Sequence, residues 1–273
     1  MSSLAKRTVF GAIYVALVVT SLLFFRPYYF QLLFLVVSTL AVHEFHRICK
    51  SDMLLTLSGM LLAWLMFSSA SLFACTGYYF SAVLLAALYG LVLMLTLVAE
   101  LFKKADNPID NWGVLLAGQV MVALPFALMN SLFSRSAMLL LALFVIIWLN
   151  DTGAYCTGSL IGRHKMFPRV SPGKSWEGLA GGAVFAMAAG YVFFSDPFGF
   201  TTMTFTWWQS LLLSLVIVVF GTFGDLVESL TKRTLGIKDS GNVIPGHGGW
   251  LDRFDSILLA TPALVLALLA FGL

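Results

Sequence analysis

Nine long stretches without a charged side chain constrain the fold of this 273-residue chain more than any other feature. The hydrocarbon core of a bilayer, about 30 Å thick, requires about 20 predominantly apolar residues per crossing helix. Hydrophobic residues make up 60% of the sequence and charged residues only 11%, a balance that soluble domains do not show. We therefore predict an all-α, polytopic integral membrane protein with about nine transmembrane helices, over residues 8–25, 29–43, 53–73, 78–99, 113–130, 136–150, 178–195, 206–223 and 256–272.

The loops between these stretches divide into a charged set and a nearly uncharged set. All Lys and Arg residues except Arg26 and Arg135 fall in the set that includes the N-terminus, and so do all acidic residues except Asp196. The positive-inside rule places this set in the cytoplasm and residue 273 on the opposite side of the membrane, which in a bacterium would be the inner, plasma membrane. Such a face attracts anionic membrane lipids and phosphate-bearing solutes. Nucleic acid is not an expected partner, because there is no extended basic arm or soluble module.

Two long cytoplasmic loops, 151–177 and 224–255, contain most of the polar chemistry. Long polar loops are where functional residues concentrate. We therefore predict N-terminal transmembrane helices over 1–130 and a C-terminal catalytic region over 131–273, within one structural domain. The small residues of 178–190 indicate close helix packing. Gln119 and Pro125 are interpreted as an interhelical contact and a kink.

Residues 43–47 read His-Glu-Phe-His-Arg. They lack the H-E-x-x-H spacing of a zinc site. We interpret Glu44 and its neighbours as an interfacial anchor together with Arg47, with a role at the functional site as the alternative.

The loop 224–255 has the densest charge in the chain. If the helix before it continues past the membrane, Asp225, Ser229 and Lys232 share one face. The last helix is expected to begin near Trp250, which would place Asp252 and Asp255 together near its start. Carboxylates from two helix ends are suitable ligands for Mg²⁺, which takes hard oxygen donors.

Basic residues and glycines in the same loop point to phosphate. Lys232, Arg233 and Lys238 supply positive charge, and the backbone amides of the glycine-rich segment 245–249 are free to approach a phosphate chain. The alternative is that the charged side chains only form ion pairs with one another at the membrane interface.

The loop 151–177 begins with Asp151, at the end of an apolar stretch. Asp151 is interpreted as a functional carboxylate or, alternatively, as a helix-end cap. Residues 171–175 superficially resemble a phosphate-binding P-loop, but Pro168 stands where that motif requires Gly, so the match fails.

Together the two loops closely resemble the signature of the phosphatidate cytidylyltransferase (CDP-diacylglycerol synthase) family, over roughly residues 148–256. The first loop contributes Asp-Thr-Gly-Ala-Tyr at 151–155 and Ser-Pro-Gly-Lys-Ser-Trp-Glu-Gly at 171–178. The second loop contributes Ser229, Lys232, Arg233, Lys238, Asp239, His247, Gly248, Gly249, Asp252, Arg253 and Asp255. Departures are mild, at Ser159, Ser175, Thr231 and Trp250, and Ser159 leaves open how the first loop contacts phosphate.

The resemblance implies that CTP and phosphatidic acid are converted to CDP-diacylglycerol and pyrophosphate, with Mg²⁺ and a second cation as an option. The predicted metal ligands are Asp225, Asp252 and Asp255. The other predicted catalytic residues are Lys232, Arg233, Lys238 and Arg253. The predicted substrate-binding residues are Asp151, Ser171, Lys174, Ser229, Asp239, His247, Gly248 and Gly249. A second copy of the same chain, forming a homodimer, is a further partner to test.

Two other functions remain open at this stage. A polyprenol or dolichol kinase would also join CTP to a membrane lipid, but it would transfer the γ-phosphoryl group and release CDP. A secondary transporter for an anionic solute would have a similar number of spans. Transporters of that kind usually have repeated halves and broken helices near the middle of the membrane, whereas the polar residues here cluster in two loops on one side.

Overall fold

The computed structural model describes residues 3–24, 27–104, 107–195, 203, 205–241 and 248–272, with the side chains of 3–8 and 27 left aside. Its helices are α1 Ser3–Leu23, α2 Pro27–Ile48, α3 Met53–Ser71, α4 Tyr79–Lys103, α5 Pro108–Ala117, α6 Leu124–Arg135, α7 Ala137–Ile161, α8 Trp176–Ser195, α9 Trp207–Thr234 and α10 Leu251–Ala270. Two π-helical segments, Leu72–Thr76 and Gly118–Ala123, continue α3 and join α5 to α6. A short antiparallel hairpin, β1 Lys165–Phe167 and β2 Ser171–Ser175, is the exception to the helical fold in the described part of the chain.

The chain is an integral membrane protein of largely helical fold, as predicted. Eight helical segments of the described residues are long and apolar enough to cross a membrane, and α1 adds a shorter apolar stretch over Val9–Leu23. The predicted number of nine spans is therefore approximate.

Two predicted boundaries were wrong, because both helices extend beyond their apolar residues. Asp151 does not end a helix, since α7 continues to Ile161. In the same way α9 continues to Thr234, so the segment between α9 and α10 is much shorter than the predicted loop 224–255. Helical hydrogen bonding does not require apolar side chains, and polar residues can extend a helix beyond the bilayer core.

The chain forms two compact units. The N-terminal unit comprises Met1–Ser134 and Asp239–Phe254, and the C-terminal unit comprises Arg135–Lys238 and Asp255–Leu273. The first boundary lies close to the predicted division between residues 130 and 131. The segment 239–254 is grouped with the N-terminal helices. The division into N-terminal helices over 1–130 and a catalytic region over 131–273, within one structural domain, stays a prediction.

In the N-terminal unit α3 packs against both α2 and α4. Leu55, Leu62 and Leu115 are fully buried together in its core. The predicted interhelical role of Gln119 is confirmed, because its side-chain amide donates a hydrogen bond to the Gly59 carbonyl at 3.0 Å. Gln119 lies in the π-helical segment Gly118–Ala123, which ends two residues before Pro125. Proline lacks the N–H that a regular helix would use there, which explains a local change of helical pitch.

In the C-terminal unit α7 packs closely along α8, and α8 also contacts α9. Glycines make the first of these contacts: a Cβ atom at Gly178 would lie 2.9 Å from the Ala154 carbonyl oxygen, and one at Gly182 would lie 2.5 Å from the Asn150 carbonyl oxygen. The predicted close packing of residues 178–190 is thus confirmed. Ser175, at the end of β2, starts α8 by accepting the Gly178 N–H at 3.2 Å, which satisfies one of the free amides of a helix start.

Candidate functional site

The helical extension considered for the eighth span is present as the last turns of α9. Asp225, Glu228 and Lys232 follow one another at helical spacings of three and four residues. Glu228 and Lys232 are both buried, at 3% and 8% exposure, and the Ser229 hydroxyl donates to Asp225 at 3.1 Å. The predicted common face of Asp225, Ser229 and Lys232 therefore exists and points partly into the protein.

Three carboxylates converge at this face in the described part of the chain. Oxygen atoms of Asp225, Glu228 and Asp255 all lie within 4.8 Å of one another. The first two come from successive turns of α9 and the third from α10. Like charges repel at this distance unless cations balance them, and three hard oxygen donors of this kind fit a magnesium ion.

Lysines balance part of this negative charge. The Lys174 ammonium lies 2.7 Å from Asp225 Oδ2 and 3.4 Å from the Thr222 carbonyl oxygen, to which it donates. Lys232 lies 2.5 Å from Glu228 Oε2. Both lysines were predicted to contact phosphate, and in the structure each forms an ion pair with a carboxylate. The ion pairs that the sequence left open as an alternative are thus present. They belong to a cluster of three carboxylates, whereas an isolated surface ion pair has only one.

A cavity of about 580 Å³ opens beside Asp225 and Lys174 within the C-terminal unit. It lies between α7, the hairpin, α8 and α9. Its lining comprises Asn150, Asp151, Ala154, Tyr155, Gly158, Ser159, Gly162, Lys165, Met166, Gly173, Lys174, Ser175, Gly178, Leu179, Thr222 and Asp225. Its size is in the range of pockets that hold small organic molecules.

The hairpin connects the predicted first-loop residues to α9. Ser171 begins β2 and Lys174 lies near its end. The Arg233 side chain donates to the backbone carbonyl oxygens of Val170 and Ile237, at 3.4 and 3.2 Å. Arg233 therefore braces the hairpin as well as being a candidate for phosphate contact. Arg233 and Lys238 are both exposed.

Other predicted residues lie in the N-terminal unit. Asp252 is in the first turn of α10, as expected, and its Oδ2 accepts the backbone N–H groups of Ser240 and Gly249 at 2.9 and 2.8 Å. Gly248 has a left-handed φ of +82°, a conformation that side chains disfavour. Its Cβ, if it had one, would collide with the Asp252 carboxylate.

Three further predictions concern the same segment. Asp239 is exposed, and the Arg253 Nε atom is buried with no hydrogen-bond partner within the described ranges. His247 lies outside the described residues. The metal role of Asp252 stays a prediction.

Two acidic residues were not among the predicted site residues. Glu228 is one of them, although its spacing from Asp225 on a helix could have indicated that both carboxylates share a face. Glu44 was interpreted as part of an anchor. It is 2% exposed and accepts the Trp250 N–H at 2.9 Å, so it joins α2 to the start of α10, and a role at the functional site stays a prediction. No local signal could have found this contact, because the two residues are 206 positions apart.

The site thus places carboxylates and lysines beside a cavity in a protein of membrane-spanning helices, and these are the chemical groups that can hold a metal ion and phosphate. The chain belongs to the cytidylyltransferase family, which it matches over residues 5–271.

Curated relatives carry a more specific name. The phosphatidate cytidylyltransferase of Bacillus subtilis is 32% identical over 274 aligned residues, which cover 98% of each chain. That of Staphylococcus haemolyticus is 44% identical over 128 residues, 46% of this chain and 47% of the relative. That of Haemophilus influenzae is 44% identical over 126 residues, 45% and 43% of the two chains. The chain thus aligns with about half the length of the staphylococcal and Haemophilus relatives and with nearly all of the Bacillus one.

Proposed function

We propose that this chain catalyses the phosphatidate cytidylyltransferase reaction, in which CTP and phosphatidic acid give CDP-diacylglycerol and pyrophosphate, a step of phospholipid biosynthesis. The observation that carries the proposal is the convergence of Asp225, Glu228 and Asp255 beside Lys174 and a cavity of about 580 Å³. The names of the curated relatives support the choice of substrates. Phosphatidic acid has to stay in the bilayer while CTP is soluble, so an active site near the polar ends of membrane-spanning helices suits both.

The reaction exchanges one phosphorus–oxygen bond for another. A phosphate oxygen of phosphatidic acid attacks the α-phosphorus of CTP and forms a bond to it. The bond from that phosphorus to the oxygen shared with the β-phosphate breaks, and pyrophosphate leaves with the electron pair. Phosphatidic acid is already an anion near neutral pH, so no side chain is needed as a base. Catalysis therefore consists mainly of positioning and charge neutralisation.

Lys174 and Lys232 are the cations that this unit holds near its carboxylates. Lys174 lines the cavity from β2, and its ammonium group can exchange a carboxylate oxygen for a phosphate oxygen at little cost in geometry. A charge-assisted hydrogen bond of this type is among the stronger polar contacts in proteins. The brace from Arg233 to the Val170 carbonyl holds the hairpin that carries Lys174.

The carboxylate group fits a divalent cation. Asp225, Glu228 and Asp255 would hold Mg²⁺, because all three offer oxygen donors from positions close enough to share one ion. When bound, the ion would neutralise charge on the phosphates of CTP. A second cation stays a prediction.

The test is to supply CTP labelled in the cytidine moiety to the purified protein in micelles that contain phosphatidic acid and Mg²⁺. Cytidine label in the lipid product, together with release of pyrophosphate, is the expected result. A polyprenol kinase would leave the cytidine label in soluble CDP and would phosphorylate an added polyprenol. Uptake of an anionic solute into liposomes without any lipid product would indicate a transporter. Either outcome would overturn the proposed function.

The distribution of charge supports an orientation. We place the N-terminus and the segments 162–175 and 235–250 on the cytoplasmic side, with residue 273 on the opposite side, because the basic residues concentrate accordingly. A reporter that is active only in the cytoplasm should fail when fused after residue 273. A homodimer likewise stays a prediction, which light scattering of the purified protein would check.

A further inference from the structure

A pair of carboxylates, separate from the three described above, lies in the N-terminal unit and belongs to residues far apart in the sequence. Glu44 of α2 accepts hydrogen bonds through both oxygens, from the Ser240 hydroxyl and from the Trp250 N–H. Asp252 accepts from the backbone N–H of Gly249, and its Oδ2 atom lies 2.8 Å from the Ser240 Oγ atom. The Ser240 hydroxyl thus lies between the two carboxylates and donates its single proton to one of them at a time. We call these contacts the Glu44 link.

The Glu44 link joins α2 to residues on both sides of 242–247 in the sequence. Ser240 precedes that range, and Gly249 and Trp250 follow it. Arg47, one turn after Glu44 on α2, donates to the Ser240 carbonyl oxygen at 2.9 Å. Helix α2 therefore contacts the first end through two side chains and the second end through one.

Burial makes these contacts costly to lose. Glu44 and Ser240 are each 2% exposed, so water cannot easily replace a missing partner. A buried donor without an acceptor is strongly disfavoured. The space is also closely filled: a Cβ atom at Gly241 would lie 2.9 Å from Arg47 Nη2 and 3.2 Å from the Glu44 carboxylate. A Cβ atom at Gly249 would collide with Glu44 itself.

We infer that Glu44 is a positioning residue, which fixes residues 239–241 and 248–252 so that Asp252 and the amides of Gly248 and Gly249 are preorganised for the substrate. This inference rests on the proposed function, since those residues are the ones predicted to act on CTP. Glu44 itself need not touch substrate. Catalytic groups displaced by about 1 Å lose roughly 100-fold in rate, so a distant acceptor that sets their position has a large effect on turnover.

The test compares Glu44→Gln and Glu44→Ala with Glu100→Gln. Glu100 is an equally well matched control, because it is also 2% exposed and also accepts from two donors on separate oxygens, Lys103 and Asn111. Glutamine keeps one acceptor oxygen, so one donor of each pair loses its acceptor. For Glu44→Gln we expect kcat to fall about 10-fold, and for Glu44→Ala about 100-fold, per folded molecule. Glu100→Gln should stay within about threefold of the original protein.

Ser240→Ala completes the test as a double-variant cycle. If Glu44 acts through the Glu44 link, Ser240→Ala combined with Glu44→Gln should lower kcat little more than Glu44→Gln alone. Independent, additive losses would show that the two residues act separately and would overturn the inference. So would Glu44 variants that retain kcat within about threefold, or losses equal to that of Glu100→Gln. If Glu44→Ala does not fold, the Glu44→Gln and Ser240→Ala pair decides.

Hydrogen–deuterium exchange gives a readout that does not depend on CTP. In Glu44→Gln, peptides containing Ser240, Gly249 and Trp250 should exchange at least several-fold faster, while peptides from α4 remain unchanged. In Glu100→Gln, peptides from α4 should exchange faster, while peptides containing Ser240, Gly249 and Trp250 remain unchanged. Faster exchange in a protein that transfers no cytidine would leave the positioning role intact and reject only the proposed function. Unchanged exchange in the segment would reject the positioning role even in an active enzyme.

Discussion

The two units use acidic side chains in opposite ways. In the C-terminal unit, Asp225, Glu228 and Asp255 converge on one another and are balanced by lysines. In the N-terminal unit, the carboxylates of Glu44 and Asp252 accept hydrogen bonds from backbone amides and from one hydroxyl. Backbone donors cannot move away without unfolding their segment, whereas a lysine side chain can exchange partners.

This difference separates two functions of the same chemical group. Carboxylates that face one another retain a need for positive charge, which a metal ion and the cations around it can meet. Carboxylates that are surrounded by amide donors are already satisfied, and they hold chain segments together. Substitutions in the first set should therefore abolish turnover. Most acidic substitutions in the N-terminal unit should affect stability alone, and the exceptions are Asp252, a predicted site residue, and Glu44, which holds it in position.

The largest effect is expected for Asp225→Asn and Asp255→Asn. Asparagine keeps the size of the side chain but removes one negative charge from the carboxylate group. We expect cytidine transfer to fall by about 1,000-fold or more, which corresponds to about 4 kcal/mol. Cytidine incorporation into lipid, measured across a Mg²⁺ titration, checks this. Turnover within a few-fold of the original protein, or full activity in the presence of a chelator, would show that the carboxylates form ion pairs only.

The next effect is expected for Lys174→Ala. Loss of a charge-assisted contact costs about 1.5 to 3 kcal/mol, or about 10- to 100-fold in rate. Lys104→Ala serves as a matched control, because Lys104 is exposed in the N-terminal unit and follows α4. Initial rates at varied CTP concentration provide the comparison. Equal activity of both variants would remove Lys174 from the site.

Helix packing below the cavity predicts a change in stability. A Cβ atom at Gly182 would lie 2.5 Å from the Asn150 carbonyl oxygen and 2.7 Å from its Oδ1, so Gly182→Ala forces α7 and α8 apart. We expect a loss of about 1 to 3 kcal/mol, measured as a lower thermal unfolding temperature in detergent. Gly90→Ala is the control: Gly90 has open space around it, and alanine there should gain up to about 1 kcal/mol from helix propensity.

The smallest effect is expected at Asp52, which caps α3 by accepting the Leu55 N–H at 2.8 Å and pairs with Lys103 at 2.7 Å. The Asp52 side chain is 45% exposed, so Asp52→Asn, which keeps the cap, should cost about 0 to 1 kcal/mol. Asp52→Ala also removes the cap and should cost about 1 kcal/mol more. Thermal unfolding of the two variants separates the cap from the ion pair, and neither variant should change turnover.

The pH dependence of this pair has a definite sign. Partial burial raises the pKa of Asp52, but the hydrogen bonds from Lys103 and Leu55 outweigh burial and hold that pKa below its usual value of 3.8. The contribution of Asp52 is therefore complete above the unfolded-state pKa and is lost as the pH falls through the lower pKa of the folded state. In Asp52→Asn the part of the acid sensitivity that comes from this residue should disappear.

The sequence alone determined the parts of this protein that depend on local composition. Apolar stretches of bilayer length predicted the membrane helices, because each helix satisfies its own backbone hydrogen bonds within one segment. Resemblance to a family signature predicted Lys174 and Asp255 as site residues, and the helical spacing before the second loop predicted Asp225. The helical spacing of Asp225, Ser229 and Lys232 predicted a shared face, and the structure contains it.

Only the tertiary structure decided which carboxylates meet and which donors they meet. The Glu44 link joins Glu44 to Ser240 across 196 positions, and Lys174 reaches Asp225 from a strand that no periodicity indicated. The extended end of α7 was also missed, and the extension of α9 was only considered as a condition, since the apolar pattern stops where the bilayer stops and not where the helix does. Local patterns record the environment of each residue, whereas partners that are distant in sequence are brought together only by the packing of whole helices.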